Sequence, residues 1–213
     1  NRFYFLQLYN IGGLKNKREE FAMKVIKRDG RVVDYDKEKI AIAIQKANGE
    51  VKAKERATKE DIKMIDDMIE HLTLSQIPEE SEKYDLRPGM GLAAIQVGIP
   101  KRYFVVVYEV DEGEFENYIM VNPKIVSASN EMIYVEDGEG CLSVNRPTEG
   151  IVPRHARITM EGFDTEGNPI KYRVREDLAI AFQHEYDHLN GILFTDKIDK
   201  KDPFKGKDKY RPI

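Results

Sequence analysis

The sequence reads as an α+β protein whose helices and strands occupy separate stretches of chain. A single apolar stripe at helical spacing marks residues 58–73, and a second helix is expected over 176–190, stopped by Gly191. Between them, from Pro88 onward, short apolar runs alternate with turn dipeptides, as strands do. The 213 residues are 41% apolar and 34% charged, which suits one core with a well-solvated surface and an appendage.

Taken in order, residues 1–22 show no clean period. The cluster at 3–9 suits a strand ended by Gly12–Gly13, and its interruption at Gln7, Tyr9 and Asn10 argues against a secretory leader. The chain opens on Asn1, and Met23 would serve as a natural start. Lys24–Ile26 and Val32–Tyr35 flank Asp29–Gly30, a hairpin turn signal. Asp36 then caps a helix to Gly49, with Ile40, Ile44 and Ala47 on one face. The next helix is expected over Thr58–Thr73, with Ile62, Ile65, Met68, Ile69 and Leu72 as core. Ser75–Arg87 reads as a polar loop. Strands are expected at Arg102–Tyr108, Ile119–Ile125 (closing at Asn122–Pro123), Glu131–Val135, Ile151–Glu161 and Lys171–Val174, with turns at Asp164–Gly167 and Asn168–Pro169. Residues 195–213 read as an extended polar tail, since Pro203 and Pro212 oppose a long helix.

Charge and composition exclude several function classes. Thirty-four basic against 38 acidic side chains give a net −4, so the chain is no basic nucleic-acid coat, and no DNA partner is expected. The longest apolar runs, such as Tyr103–Tyr108, fall far short of the ~20 residues of a membrane helix. A lone cysteine, Cys141, rules out an intramolecular disulfide, fits a reducing cytoplasm, and is a candidate ligand or nucleophile.

The strongest local signal is Gln183–His188, Q-H-E-Y-D-H. His184 and His188 lie one helical turn apart on the same face and can address one cation, and Glu185 beside them is placed as a general base. A catalytic metal usually takes three protein ligands. The position six residues after the second histidine is Phe194, and no glutamate follows Glu185. Asp196 and Asp199 are weak downstream candidates, so the third ligand should come from upstream. Cys141, in Glu139–Gly140–Cys141–Leu142–Ser143, is the natural choice. It is expected in a turn followed by a short strand, where Gly138 and Gly140 allow close approach. A third segment, Gly89–Met90–Gly91–Leu92–Ala93–Ala94–Ile95–Gln96, combines small residues with one side-chain amide.

Together the three segments resemble peptide deformylase, whose motifs are G-x-G-x-A-A-x-Q, E-G-C-x-S and Q-H-E-x-x-D-H. They stand here in that order, over residues 57–213, and Ile95 occupies a position where many members carry proline. The resemblance implies removal of the N-formyl group from the initiator methionine of nascent chains. It implies an α+β fold with mixed or antiparallel sheets around the helix that bears the histidines. It implies a metal on Cys141, His184 and His188, natively Fe2+, replaceable by Zn2+, Ni2+ or Co2+. Glu185 would be the general acid/base, and the Gln96 side chain and Leu142 backbone N–H would stabilise the oxyanion. Met90, Gly91, Gly140, Ile180 and Ala181 would line the substrate. A ribosome-proximal, cytoplasmic enzyme is implied as well. The stretch Asp199–Ile213 holds six basic against three acidic side chains, hence +3, and would steer the protein toward RNA.

Residues 23–48 resemble instead the start of an ATP-cone, through the run Val25–Ile40. A domain boundary is expected at 56/57, before the catalytic domain, with residues 1–56 an N-terminal segment that is either a truncated cone without nucleotide binding or a working regulatory half-domain. Two alternatives to deformylation are a zinc endopeptidase and a nucleotide-binding regulator acting through residues 23–56.

Overall fold

The structure, a computed structural model, describes residues 24–26, 32–34, 59–163 and 168–213. The expected helix at 36–49, the strand at 3–9, the turn at 164–167 and the cone-like run apart from its two strands lie outside the described residues. Helix α1 covers Lys59–Gln76, and its stripe Ile65, Met68, Ile69 and Leu72 is fully buried. It runs past Thr73 because the polar residues there turn back on the helix: the Thr73 and Ser75 hydroxyls donate to the Ile69 and Leu72 carbonyls. The expected loop 75–87 holds a second helix, α2 (Pro78–Tyr84). Proline at the first turn starts a helix because its missing N–H is not needed there. The helix ends on Asp85 in the left-handed region, φ 52°.

Strands β1 (Lys24–Ile26) and β2 (Val32–Asp34) pair antiparallel, with Val25 opposite Val33. Then come β3 (Gly91–Ala93), a 3-10 turn (Ala94–Val97), β4 (Tyr103–Asp111), β5 (Glu114–Ala128), β6 (Met132–Tyr134), β7 (Arg154–His155), β8 (Arg157–Phe163) and β9 (Pro169–Arg175). Helix α3 (Glu176–Leu189), the short α4 (Phe194–Lys197) and β10 (Arg211–Pro212) complete the chain. Among the described residues seven strands make the main sheet, ordered β2-β1-β5-β4-β3, with β8 on β5 and β9 on β8. Of its described pairs, β1 with β5 is parallel and the others are antiparallel. A second sheet holds β10, β6 and β7.

Side chains alternate across a strand, and β4 is apolar on both faces because a helix covers each. Tyr103, Val105 and Val107 pack with α1, whereas Phe104 and Val106 join Ala179 and Phe182 of α3. Phe104 and Phe182 meet edge to face at 5.3 Å. The sheet is thus filled between α1 and the histidine-bearing helix, which is the α+β arrangement expected.

Two expected strand limits are corrected. β5 does not close at Asn122–Pro123: it pairs with β4 up to Val121 and with β8 beyond it, shifting register between Val121 and Lys124. Asn122 takes φ 52° there, and a proline, lacking an N–H, is tolerated at such an irregularity. The expected strand 151–161 divides at Ala156, whose N–H donates to the Glu131 carbonyl, so that β7 joins the small sheet and β8 the large one.

The C-terminal stretch is likewise not an extended tail. α4 buries Phe194, β10 pairs parallel with β6, and the Ile213 N–H donates to the Tyr134 carbonyl. Arg211 reaches Glu131 at 3.0 Å and Glu176 at 2.8 Å. A chain cut at Ile198 would therefore lose an edge of the small sheet.

Candidate active site and metal centre

Helix α3 enters the core because its residues 179–185 are all buried, polar ones included. The Gln183 side chain fixes its rotation: Oε1 accepts the His155 N–H at 3.0 Å, and Nε2 donates to the His155 carbonyl at 2.9 Å. His184 and His188 then stand on one face with ring centroids 4.8 Å apart, and His184 stacks on Phe194. Cys141 Sγ lies 3.3 Å from His188 Nε2. One donor atom from each of Cys141, His184 and His188 falls within 4.8 Å of the others, and all three residues are buried. Asp196 and Asp199 stand apart from this group. Asp196 accepts the Leu193 N–H at 2.9 Å, and Asp199 pairs with Lys205 at 2.7 Å.

A charged network holds the donors. Glu139 Oε2 accepts from His184 Nδ1 at 3.0 Å, which places the ring proton on Nδ1 and leaves Nε2 for coordination. Arg154, 1% exposed, donates to both Glu139 oxygens at 2.7 and 2.8 Å and to Asp187 through Nη1. Lys197 reaches Asp187 at 3.0 Å. Burial would raise the Glu139 carboxyl, but its bonds to Arg154 and His184 outweigh that and hold it at about 2. Sequence reasoning missed Arg154 altogether. The available signal was an arginine following the apolar Ile151–Val152–Pro153 and preceding a buried strand.

Glu185 faces a different environment. Complete burial pushes its carboxyl up to about 7, against the opposing pull of His184 and Arg154, and among the described residues Oε2 has no hydrogen-bond partner. It lies directly under Gly91 of β3, where an added Cβ would stand 2.5 Å from Oε1 and 2.7 Å from Cγ. Only hydrogen fits at that position. We expect Gly91→Ala to displace Glu185, at a cost of about 1–3 kcal/mol for overpacking, and to lower kcat more than tenfold. Steady-state kinetics alongside thermal unfolding will separate the two effects.

Gln96 Oε1 accepts the Ala93 N–H at 2.7 Å, which directs Nε2 toward Ser143 Oγ at 3.0 Å and Cys141 Sγ at 3.8 Å. Cys141 opens a turn closed by the Val144 N–H on the Cys141 carbonyl at 3.0 Å, and no strand follows it, contrary to expectation. Leu142 in this turn packs on Gly89, whose added Cβ would meet Leu142 Cδ1 at 2.8 Å. At Gly140 an added Cβ would meet nothing within 4 Å, so that side is open. Met90 and Ala181 share one apolar cluster, but Ile180 belongs to another, with Ile133 and Ala156. The structure therefore does not bring Ile180 together with the other two.

A soft thiol with two imidazoles fits a divalent transition metal such as iron, cobalt, nickel or zinc, and a buried carboxylate oxygen without a partner stands beside them. That combination defines a metal-dependent hydrolase. The family profile of polypeptide deformylase matches residues 31–204. A peptide deformylase of Oceanobacillus iheyensis is 47% identical over 156 residues, 73% of this chain and 85% of the relative. Peptide deformylase 2 of Bacillus subtilis is 53% identical over 139 residues, 65% of this chain and 76% of the relative. A probable peptide deformylase from Synechococcus phage S-SSM7 superposes with TM-score 0.55 at 35% identity, covering 72% of this chain and 93% of that one. The Met-Ala-Ser-bound enzyme of Acinetobacter baumannii gives 0.52 at 31% identity, covering 70% and 87%.

The chain belongs to the peptide deformylase family. It is a metal-dependent hydrolase that removes the N-formyl group from nascent polypeptides, and the endopeptidase alternative is set aside. The family match begins inside the cone-like run.

Proposed function

We propose the following division of roles in deformylation. Cys141 as thiolate, with His184 and His188, holds one divalent cation, Fe2+ in the native enzyme. The cation supplies Lewis acidity, lowering the pKa of water and polarising the formyl carbonyl. Glu185 takes a proton from the attacking water on its unpartnered oxygen and delivers a proton to the departing amine nitrogen. Water oxygen bonds to the formyl carbon, the C–N bond breaks, and formate leaves with a free amino terminus. Gln96 Nε2 and the Leu142 N–H donate to the charge that grows on the formyl oxygen. Gly140 leaves room for the peptide, Gly91 makes room for Glu185, and Met90 and Ala181 receive the methionine side chain. The observation that carries this reading is the convergence of the three donor atoms within 4.8 Å, with Glu185 buried beside them.

Metal content tests it. Cys141→Ala should lose its tightly bound metal, and full retention would remove Cys141 from the ligand set. Elemental analysis of wild-type protein purified without oxygen should report iron; zinc or nickel in its place would overturn Fe2+ as the native ion.

The same proposal takes residues 57–213 as the catalytic domain and residues 1–56 as an N-terminal segment. It sets the reaction in the cytoplasm, close to the ribosome. No described helix is long and apolar enough to cross a membrane. Arg211 and Lys205 are engaged in ion pairs within the fold, so Lys200, Lys201, Lys207 and Lys209 are the cations we assign to ribosomal RNA. Reversing these four to glutamate should abolish salt-sensitive co-sedimentation with ribosomes, and unchanged binding would rule the segment out.

A further inference from the structure

The two donors assigned to the oxyanion come from different segments, Gln96 from the stretch after β3 and Leu142 from the cysteine turn. Three contacts join these segments. Gln96 bonds Ser143, Leu142 packs on Gly89, and Arg87 spans the gap two residues before that glycine. Arg87 Nη1 donates to Asn145 Oδ1 at 2.6 Å, and Nη2 donates to the Val144 carbonyl at 3.2 Å and the Cys141 carbonyl at 3.0 Å. The last of these matters most. The Cys141 carbonyl belongs to the same peptide unit as the Leu142 N–H. In a trans peptide the two point in opposite directions, so whatever fixes the oxygen also aims the proton. The oxygen already accepts the Val144 N–H, and the guanidinium adds a charged donor. Hydrogen bonds along such a chain polarise one another, so the charge on the oxygen side strengthens the N–H on the other. Among the described residues nothing accepts the Leu142 N–H, which leaves it for a ligand.

We propose that Arg87 is a positioning residue for deformylation: through the Cys141 carbonyl it aims and polarises the Leu142 N–H at the developing oxyanion. This rests on the assignment of that N–H as an oxyanion donor. Arg87 touches neither substrate nor metal in this scheme. Its effect is therefore confined to the transition state, where the formyl oxygen carries charge, and the planar fork is required because one guanidinium must reach two carbonyls and an amide.

The test uses metal-loaded full-length protein and formyl-Met-Ala-Ser. Loss of a whole oxyanion donor costs about 10²–10³ in kcat elsewhere, so weakening one should cost about tenfold in Arg87→Ala, with KM held within about twofold. Metal content and thermal stability should match wild type. In zinc-loaded Arg87→Ala the Leu142 amide proton should exchange with solvent more slowly, because the unpartnered N–H loses the charge that polarises it. Free guanidinium at a non-denaturing concentration should restore part of kcat, and Arg87→Lys should behave as the alanine variant. Leu142→Pro deletes the N–H at a turn position that favours proline, and Arg87→Ala should cost nothing further in that background. An unchanged kcat in Arg87→Ala overturns the inference, as does full activity in Arg87→Lys, a parallel loss of metal, or an undiminished effect beside Leu142→Pro. If Leu142→Pro itself leaves kcat unchanged, the oxyanion assignment fails and the role of Arg87 falls with it. A loss in Leu142→Pro with none in Arg87→Ala sinks the role of Arg87 alone.

Discussion

Glu185→Gln will keep its metal and its fold and lose nearly all turnover. The substitution preserves the size of a fully buried side chain and removes only its charge and its ability to accept a proton. Glu185 is not among the three converging donors, so metal content should equal wild type. Among the described residues its Oε2 has no partner, so no hydrogen bond seen at that atom is lost. The neutral amide also avoids the penalty of burying a carboxylate, and thermal stability should hold or rise. General acid–base catalysis contributes about 10²–10⁴ in rate, and kcat should fall by that factor. The experiment measures kcat and bound metal on one preparation. A variant at wild-type rate would place the base on another group, whereas one depleted of metal would make Glu185 part of the metal-holding structure.

Arg154→Leu will be strongly destabilising. Arg154 is buried, and its guanidinium spans two buried carboxylates, Glu139 and Asp187. Leucine leaves both charges without it. Breaking a buried pair from one side costs about 3–5 kcal/mol, a large part of the ~5–15 kcal/mol that holds a domain together. Urea unfolding of the two proteins measures the difference, and a loss below about 1 kcal/mol would show the network to be dispensable. Metal affinity should fall too, by about 10–100-fold, because Glu139 sets the tautomer and orientation of His184. Acid titration reads the same network. The folded Glu139 carboxyl sits at about 2, below its ordinary 4.5, so its contribution is fully present above 4.5 and is lost as the pH falls from there toward 2. In Arg154→Leu this dependence should weaken, since the bond that depresses Glu139 is gone.

The chemistry was legible because it is carried by short motifs whose spacing is a local property. Two histidines one turn apart on a helix share a face whatever else the chain does, and flanking glycines let a cysteine's backbone approach a site that a buried, packing cysteine would not need. The α1 core stripe could be read for the same reason: helical periodicity repeats within a few residues. Element limits were less legible where tertiary contacts decide them. α1 continues through Thr73 and Ser75 because Gln76 finds the Gly89 and Val107 carbonyls across the core, each at 3.1 Å. β5 passes through Asn122–Pro123, which locally reads as a stop, because β8 takes over the pairing from β4.

By itself, then, the sequence determined the α+β class, the candidate donor set, and the neighbourhood of Glu185 and Gln96. The tertiary structure alone decided that Arg154 is the residue bracing that set, that Arg87 reaches the Cys141 carbonyl, and that the C-terminal stretch is a strand of the small sheet rather than a tail. The reason is range. Arg87 lies 54 residues from Cys141, and Arg154 lies 33 from Asp187. No periodicity or motif encodes such a pairing, and a charged side chain looks solvated until the fold buries its partners around it.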